Sequence, residues 1–301
     1  MGGDRIMAEK AGNSNVITRQ YLDSLLIETR YMNSTNPDLT MNLYGRSFKS
    51  PIMTAALSHL DHFMFEGATK AYAEGTANAD AVLWLGMADE KEVEMCAETG
   101  APMIEIIKPY SDRELIYQKI RHAESLGLLA VGIDIDHPFA EDGSPDIVDG
   151  YEMTAINTEE MKEICSSTNL PVIAKGVLSL YDAGEVMKAG ASGMVLSHHN
   201  NRIEYAMPPL AVLPAICKEV GKDIPVFVDC EIRTGMDAFK ALALGATAVC
   251  IGRPLMTAIK QTGSEGVTEY LRKANGELAK AMAYTGCTDL GKMDSTVVHR
   301  I

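Results

Sequence analysis

The chain is short of long apolar runs, of aromatic residues and of positive charge, and each shortage excludes something. No apolar run reaches the ~18 residues of a membrane-spanning helix, so no membrane span is expected. Lysine and arginine number 27 against 41 aspartates and glutamates, a formal net charge of −14. That balance disfavours nucleic acid and anionic membrane as partners, although local basic residues can still hold a small anion. The six cysteines (Cys96, Cys165, Cys217, Cys230, Cys250, Cys287) contain no CxxC pair. They read as small buried hydrophobes in a reduced cytoplasm, with Cys230 set apart because it follows a candidate site aspartate. Met1-Gly-Gly-Asp-Arg has no apolar core, so no signal peptide is expected. The single tryptophan, Trp84, reads as packing within an apolar run.

What is present is a βα rhythm. Eight short apolar runs, 51–56, 81–85, 102–107, 129–135, 171–175, 192–197, 225–229 and 247–252, read as parallel strands buried on both faces. Helical stretches fall between them. Glu90–Glu98 follows Asp89, and Asp112–Leu126 runs from Ser111 to Gly127; Ser179–Lys188 and Asp237–Leu244 end near Gly190 and Gly245. The pattern predicts an α/β fold, a (β/α)8 TIM barrel, in one domain spanning 1–301. Residues 1–50 read as a leader with a helix around Thr18–Arg30, and 266–286 as a closing helix. His137–Asn157 is the longest internal loop, which marks it as functional or mobile.

Polar residues cluster just after the later strands, where barrel enzymes carry their active sites. Lys175 ends the fifth run; a buried lysine there needs an anion, either a ligand or one of Asp134, Asp136 and Asp229. His198 and His199 follow the sixth run and alternate in direction, so one of them faces the site as a candidate general base. Arg202 is placed to fork onto a carboxylate. Asp134 and Asp136 are two apart and share a face, so one of them can orient a histidine. Asp229, Arg233, Gly252 and Arg253 follow the last two runs, where many barrels hold a phosphate. His59, His62 and His137 form a metal site only if a turn presents them together, and no metal is expected.

These residues resemble a known family. Pro-Val-Ile-Ala-Lys-Gly-Val, Ser-x-His-x-x-Arg and the Phe239-Lys-Ala-Leu-Ala-Leu-Gly-Ala to Ile-Gly-Arg-Pro stretch are similar to the second half of the FMN-dependent α-hydroxy-acid oxidases and dehydrogenases. The resemblance implies FMN as cofactor. It places Lys175 at the flavin ring, Ala55 and Ala56 near it, Ser197 after the sixth strand, Asp229 on the ribityl chain, and Arg233, Gly252 and Arg253 on the phosphate. It makes His199 the base, Asp136 its partner and Arg202 the carboxylate anchor of a small anionic substrate. Hydride or its equivalent would pass from the substrate carbon to the flavin, giving the 2-oxo acid. A further electron acceptor is required, which the sequence does not name, and the family implies a homo-oligomer.

The departures lie in the substrate pocket and the phosphate turn. Lys108 aligns with a family tyrosine that meets substrate. Asn200 and Asn201 replace two glycines, as do Cys230 and Glu231; Glu231 beside a phosphate is unfavourable unless it points away. Two other readings stay open: an FMN barrel with a different substrate, such as a type 2 isopentenyl diphosphate isomerase-like enzyme or another flavin reductase, and a non-redox barrel that binds flavin or a phosphometabolite.

Overall fold

A computed structural model of the chain describes residues 11–221 and 223–301; the expectation about Met1-Gly-Gly-Asp-Arg lies outside them. Each of the eight apolar runs coincides with a strand, two of which, Leu83–Gly86 and Val172–Val177, extend past the run. They are β1 (Ile52–Thr54), β2 (Leu83–Gly86), β3 (Met103–Ile107), β4 (Ala130–Asp134), β5 (Val172–Val177), β6 (Gly193–Leu196), β7 (Val226–Val228) and β8 (Ala248–Ile251). All pair in parallel in chain order, and β8 returns to pair with β1 through Val249–Ile52 to Ile251–Thr54. Between β1 and β2 the cylinder closes on Thr54, whose backbone N–H donates to Val82 O at 3.2 Å and whose Oγ1 accepts from Trp84 N at 3.1 Å. This is the predicted TIM barrel.

Side chains alternate along each strand. One set (Met53, Trp84, Ile104, Ile106, Ala130, Ile173, Val195, Phe227, Ala248, Cys250) fills the barrel interior, with Trp84 edge-on to Phe227. The other set, including Val131, Ile133, Ala174 and Val228, packs against the helices. An antiparallel hairpin, Met41–Leu43 with Arg46–Phe48, adds Met41, Leu43 and Phe48 to the inner cluster. Tyr44 fixes it by donating to Ser192 O at 2.9 Å.

The inner set also fixes the site. Two residues beyond Ile106, Gly132, Ile173, Val195, Phe227, Cys250 and Met53 stand Lys108, Asp134, Lys175, Ser197, Asp229, Gly252 and Ala55. Period-two alternation alone therefore makes these residues the next inward layer at the strands' C-terminal ends.

The surrounding helices begin close to expectation: Asp89 caps as predicted, whereas the next helix is capped by Asp112, not Ser111, and the helix expected from Asp237 starts at Gly235. Asp89 and Thr234 form capping boxes with Glu92 and Asp237, and Asp112 and Ser179 accept from the first turn. The predicted closing helix is the second half of Arg253–Thr285, which breaks at Thr262 and Gly263. The leader differs from expectation. Its helix covers Ser14–Asp23, not Thr18–Arg30, because Leu25–Ile27 leaves the helix to pair antiparallel with Val298–Arg300. All six cysteines are free. Among the described residues no helix is long and apolar enough to cross a membrane.

Candidate active site

At the C-terminal rim of the strands lies a cavity of about 810 Å³, the size of a cofactor site. Its lining includes Ala55, Ala56, Lys175, His199, Asp229, Arg233, Gly252 and Arg253. Ser197 is buried beneath it, its Oγ accepting from the His199 backbone N–H at 3.0 Å.

One end of the site is a buried charge network. Asp134 takes Lys175 Nζ on one oxygen at 2.8 Å and Lys108 Nζ on the other at 2.7 Å. Burial works to raise the Asp134 carboxyl, but the two ammonium groups hold it well below the usual carboxylate range. Burial likewise opposes the charge on Lys175, which Asp134, then Asp136 and Asp229, secure; its affinity for the proton is raised. Two ammonium groups thus converge on one aspartate at the strand ends, with Asp136 and Asp229 also facing Lys175.

His199 stands beside this network. Its Nδ1 is 2.9 Å from Asp136 Oδ1 and 3.4 Å from Lys175 Nζ. The ring nitrogen cannot donate to the carboxylate and accept from the ammonium at once. The shorter contact assigns the Nδ1–H to Asp136, which leaves Nε2 free to accept a proton. His198 turns the other way and is held by Thr18 Oγ1 at 2.9 Å; adjacent residues at a strand end do point oppositely.

Gly176 explains how Asp136 reaches its place. Its φ is +103°, and a Cβ there would lie 2.2 Å from Asp136 Cγ. The Asp136 side chain thus packs against bare backbone. Gly176→Ala is expected to cost about 2 kcal/mol or more through strain and overpacking, read from denaturant unfolding, and to drive Asp136 off His199. An unchanged midpoint would mean that Asp136 moves aside without resistance.

The loop 137–157 is tied to the strand ends through Arg202 and Lys108. Arg202 donates to Asp146 and to Phe139 O, both in this loop, so in this structure its guanidinium already holds a carboxylate of the chain itself. Asp146 also meets His137 Nε2 at 2.9 Å, while His137 Nδ1 lies 2.5 Å from Lys108 Nζ. Burial, then the Lys108 charge, pushes the His137 pKa down to about 4. His59 pairs instead with Asp149. Asp134, His137 and His199 bring three ligand atoms within 4.8 Å of one another, a grouping that neither their spacing nor the HLDH motif signalled. The ammonium groups of Lys108 and Lys175 stand on the same atoms and oppose a further cation.

The other end of the cavity carries the two arginines. Arg253 donates to Glu231 and, at 3.1 Å, to Asn15 Oδ1, while Arg233 Nη2 lies 2.5 Å from Glu231 Oε2. The Glu231 side chain is 1% exposed; it points into the pair, not away from it. Cys230 and Glu231 keep left-handed φ values of +64° and +63°, and Asn200 and Asn201 keep +57° and +68°. Asparagine tolerates this region, whereas cysteine and glutamate are strained in it. Asn15, Thr18 and Arg19 were not foreseen as site residues. They enter because the Ser14–Asp23 helix lies across the rim, with Ser14, Asn15 and Thr18 bonded to Asn201, Asn200 and His198, and Arg19 to Asp237.

The sequence pattern of the FMN-dependent dehydrogenase family matches residues 8–155 and 143–300. Glycolate oxidase 1 of Zea mays is 30% identical over 295 residues, covering 85% of this chain and 79% of its own. A 2-hydroxyacid oxidase of Dictyostelium discoideum is 26% identical, covering 96% of this chain and 81% of its own. A mandelate oxidase variant solved with a monooxide FMN adduct superposes with a TM-score of 0.86 at 26% identity, over 97% of this chain and 92% of that one. The cavity fits the body of such a cofactor: it has the volume and the buried Lys175 ammonium at one end, while the two arginines at the other end are already paired with Glu231. The Asp136 Oδ2 atom is buried without a hydrogen-bond partner. With the fold, the rim and both halves of the sequence in agreement, this chain belongs to the FMN-dependent dehydrogenase family.

Proposed function

We propose that this chain uses bound FMN to oxidise a small 2-hydroxy acid to the 2-oxo acid. The observation that carries the reading is the His199–Asp136 pair at 2.9 Å, set beside buried Lys175 in a cavity large enough for the cofactor. FMN, when bound, supplies the two-electron acceptor for the substrate carbon. His199 Nε2 removes the hydroxyl proton, and Asp136 balances the charge the ring then gains. Lys175 presents a fixed positive charge where negative charge accumulates. Arg202 exchanges Asp146 for the substrate carboxylate, Asp146 remaining on His137, and Lys108 offers a further cation to the same anion. Ala55, Ala56, Ser197, Asp229 and Gly252 contact the cofactor, and Arg233 and Arg253 face its phosphate.

The chain acts as one domain, in a homo-oligomer, and in the cytoplasm; the last is supported by six unpaired cysteines. An added acceptor, oxygen or another oxidant, regenerates the cofactor. The test is anaerobic addition of small 2-hydroxy acids to the purified, flavin-loaded protein. Loss of the yellow colour with at least one of them is the expected result. A yellow protein that none of them bleaches is a flavin enzyme with a different substrate; a colourless protein that takes up no FMN is a barrel of the non-redox kind.

A further inference from the structure

Glu231 is a buried carboxylate of the rim that the proposed reaction does not use. Its side chain is 1% exposed and lies between Arg253, 46% exposed, and Arg233, 52% exposed. Its Oε1 accepts from Arg253, while its Oε2 lies 2.5 Å from Arg233 Nη2 without the alignment of a hydrogen bond. The Glu231 backbone carbonyl is held in turn by Arg19 Nη1 at 3.1 Å. The residue keeps this place at φ +63°, directly after Cys230 at +64°, a backbone that costs a non-glycine residue about 1–3 kcal/mol. A strained, buried anion lodged between two guanidinium groups occupies the ground a phosphate would take.

We infer that Glu231 is an internal phosphate surrogate: its carboxylate neutralises the Arg233–Arg253 cradle, so the cofactor's phosphate must displace it to enter. This deepens the proposed function and rests on FMN as the ligand of that cavity. Like charges forced into one cradle repel strongly. Either Glu231 leaves as the phosphate arrives, or the phosphate stays outside. In both cases this chain gains little from the phosphate, and it distinguishes FMN from riboflavin poorly.

The experiment compares FMN and riboflavin affinity, measured by quenching of flavin fluorescence, in the wild type, Glu231→Gln and Glu231→Gly. Glutamine keeps the shape and removes the charge, while glycine also relieves the left-handed backbone, so at least one variant folds. Both substitutions are expected to tighten FMN by about tenfold or more, equivalent to about 1.4 kcal/mol, while riboflavin affinity shifts less than about threefold. Inorganic phosphate alone should raise the melting temperature of Glu231→Gln more than that of the wild type. FMN affinity that is unchanged or weaker in folded variants overturns the inference and leaves the flavin reading intact. Binding of neither flavin, by wild type or variants, overturns both.

Discussion

His199→Ala is expected to lower turnover of a 2-hydroxy acid by about 10²- to 10⁴-fold, the range for loss of a positioned general base, with FMN still bound. The expectation follows from the ring's geometry. Asp136 at 2.9 Å fixes the Nδ1–H, so only Nε2 is available to take a proton, and alanine removes it. The next imidazole is His137, whose ring centre lies 5.0 Å from that of His199. It is a poor substitute, because burial and then Lys108 lower its pKa to about 4. Steady-state turnover with an artificial electron acceptor, alongside the flavin absorption spectrum, checks both halves of the expectation. Undiminished turnover would place the base elsewhere.

Lys175→Met is expected to slow reduction of bound flavin by about 10²- to 10³-fold, the effect of removing one preorganised charge from a dry site, or to weaken flavin binding outright. Methionine fills the volume and removes the ammonium. Removing one partner of a buried pair commonly costs about 3–5 kcal/mol. Here the loss is smaller, because Lys108 stays on the other Asp134 oxygen at 2.7 Å. The variant therefore folds with its cavity less positive. Rapid mixing of the loaded variant with substrate under anaerobic conditions gives the rate, and a thermal melt gives the stability. Wild-type spectra and rates would remove Lys175 from the chemistry and leave it a purely structural ion pair.

The eight strands were legible because burial on both faces writes itself as short apolar runs, and because caps such as Asp89 and Ser179 punctuate the helices between them. Lys175 and Asp229 were legible for the same reason: each stands one inward step beyond an apolar layer. What local pattern could not carry were partners distant in sequence. The helix expected over Thr18–Arg30 stops at Asp23 because Leu25–Ile27 finds a strand more than 270 residues away, through Leu25 with Arg300. Nothing near Arg202 names Asp146 as its counter-ion, and nothing near Arg253 names Asn15. The sequence marked Glu231 as unfavourable beside a phosphate unless it points away, and nothing in the local pattern showed that it points between the arginines. Two guanidinium groups instead hold the nearest carboxylate, at the cost of a strained backbone.

The pairing of Leu25–Ile27 with Val298–Arg300 sets an order of events at the ribosome. A nascent polypeptide lacking residues 298–300 already holds all eight barrel strands and the rim partners of Ser14, Asn15, Thr18 and Arg19, yet Leu25–Ile27 has no strand to pair with. The floor of the reaction chamber can therefore form while translation continues, but the strand that follows its roof is clasped only once residues 298–300 have emerged. That clasp closes last, and disrupting Val298–Arg300 should loosen the stretch just after the Ser14–Asp23 helix.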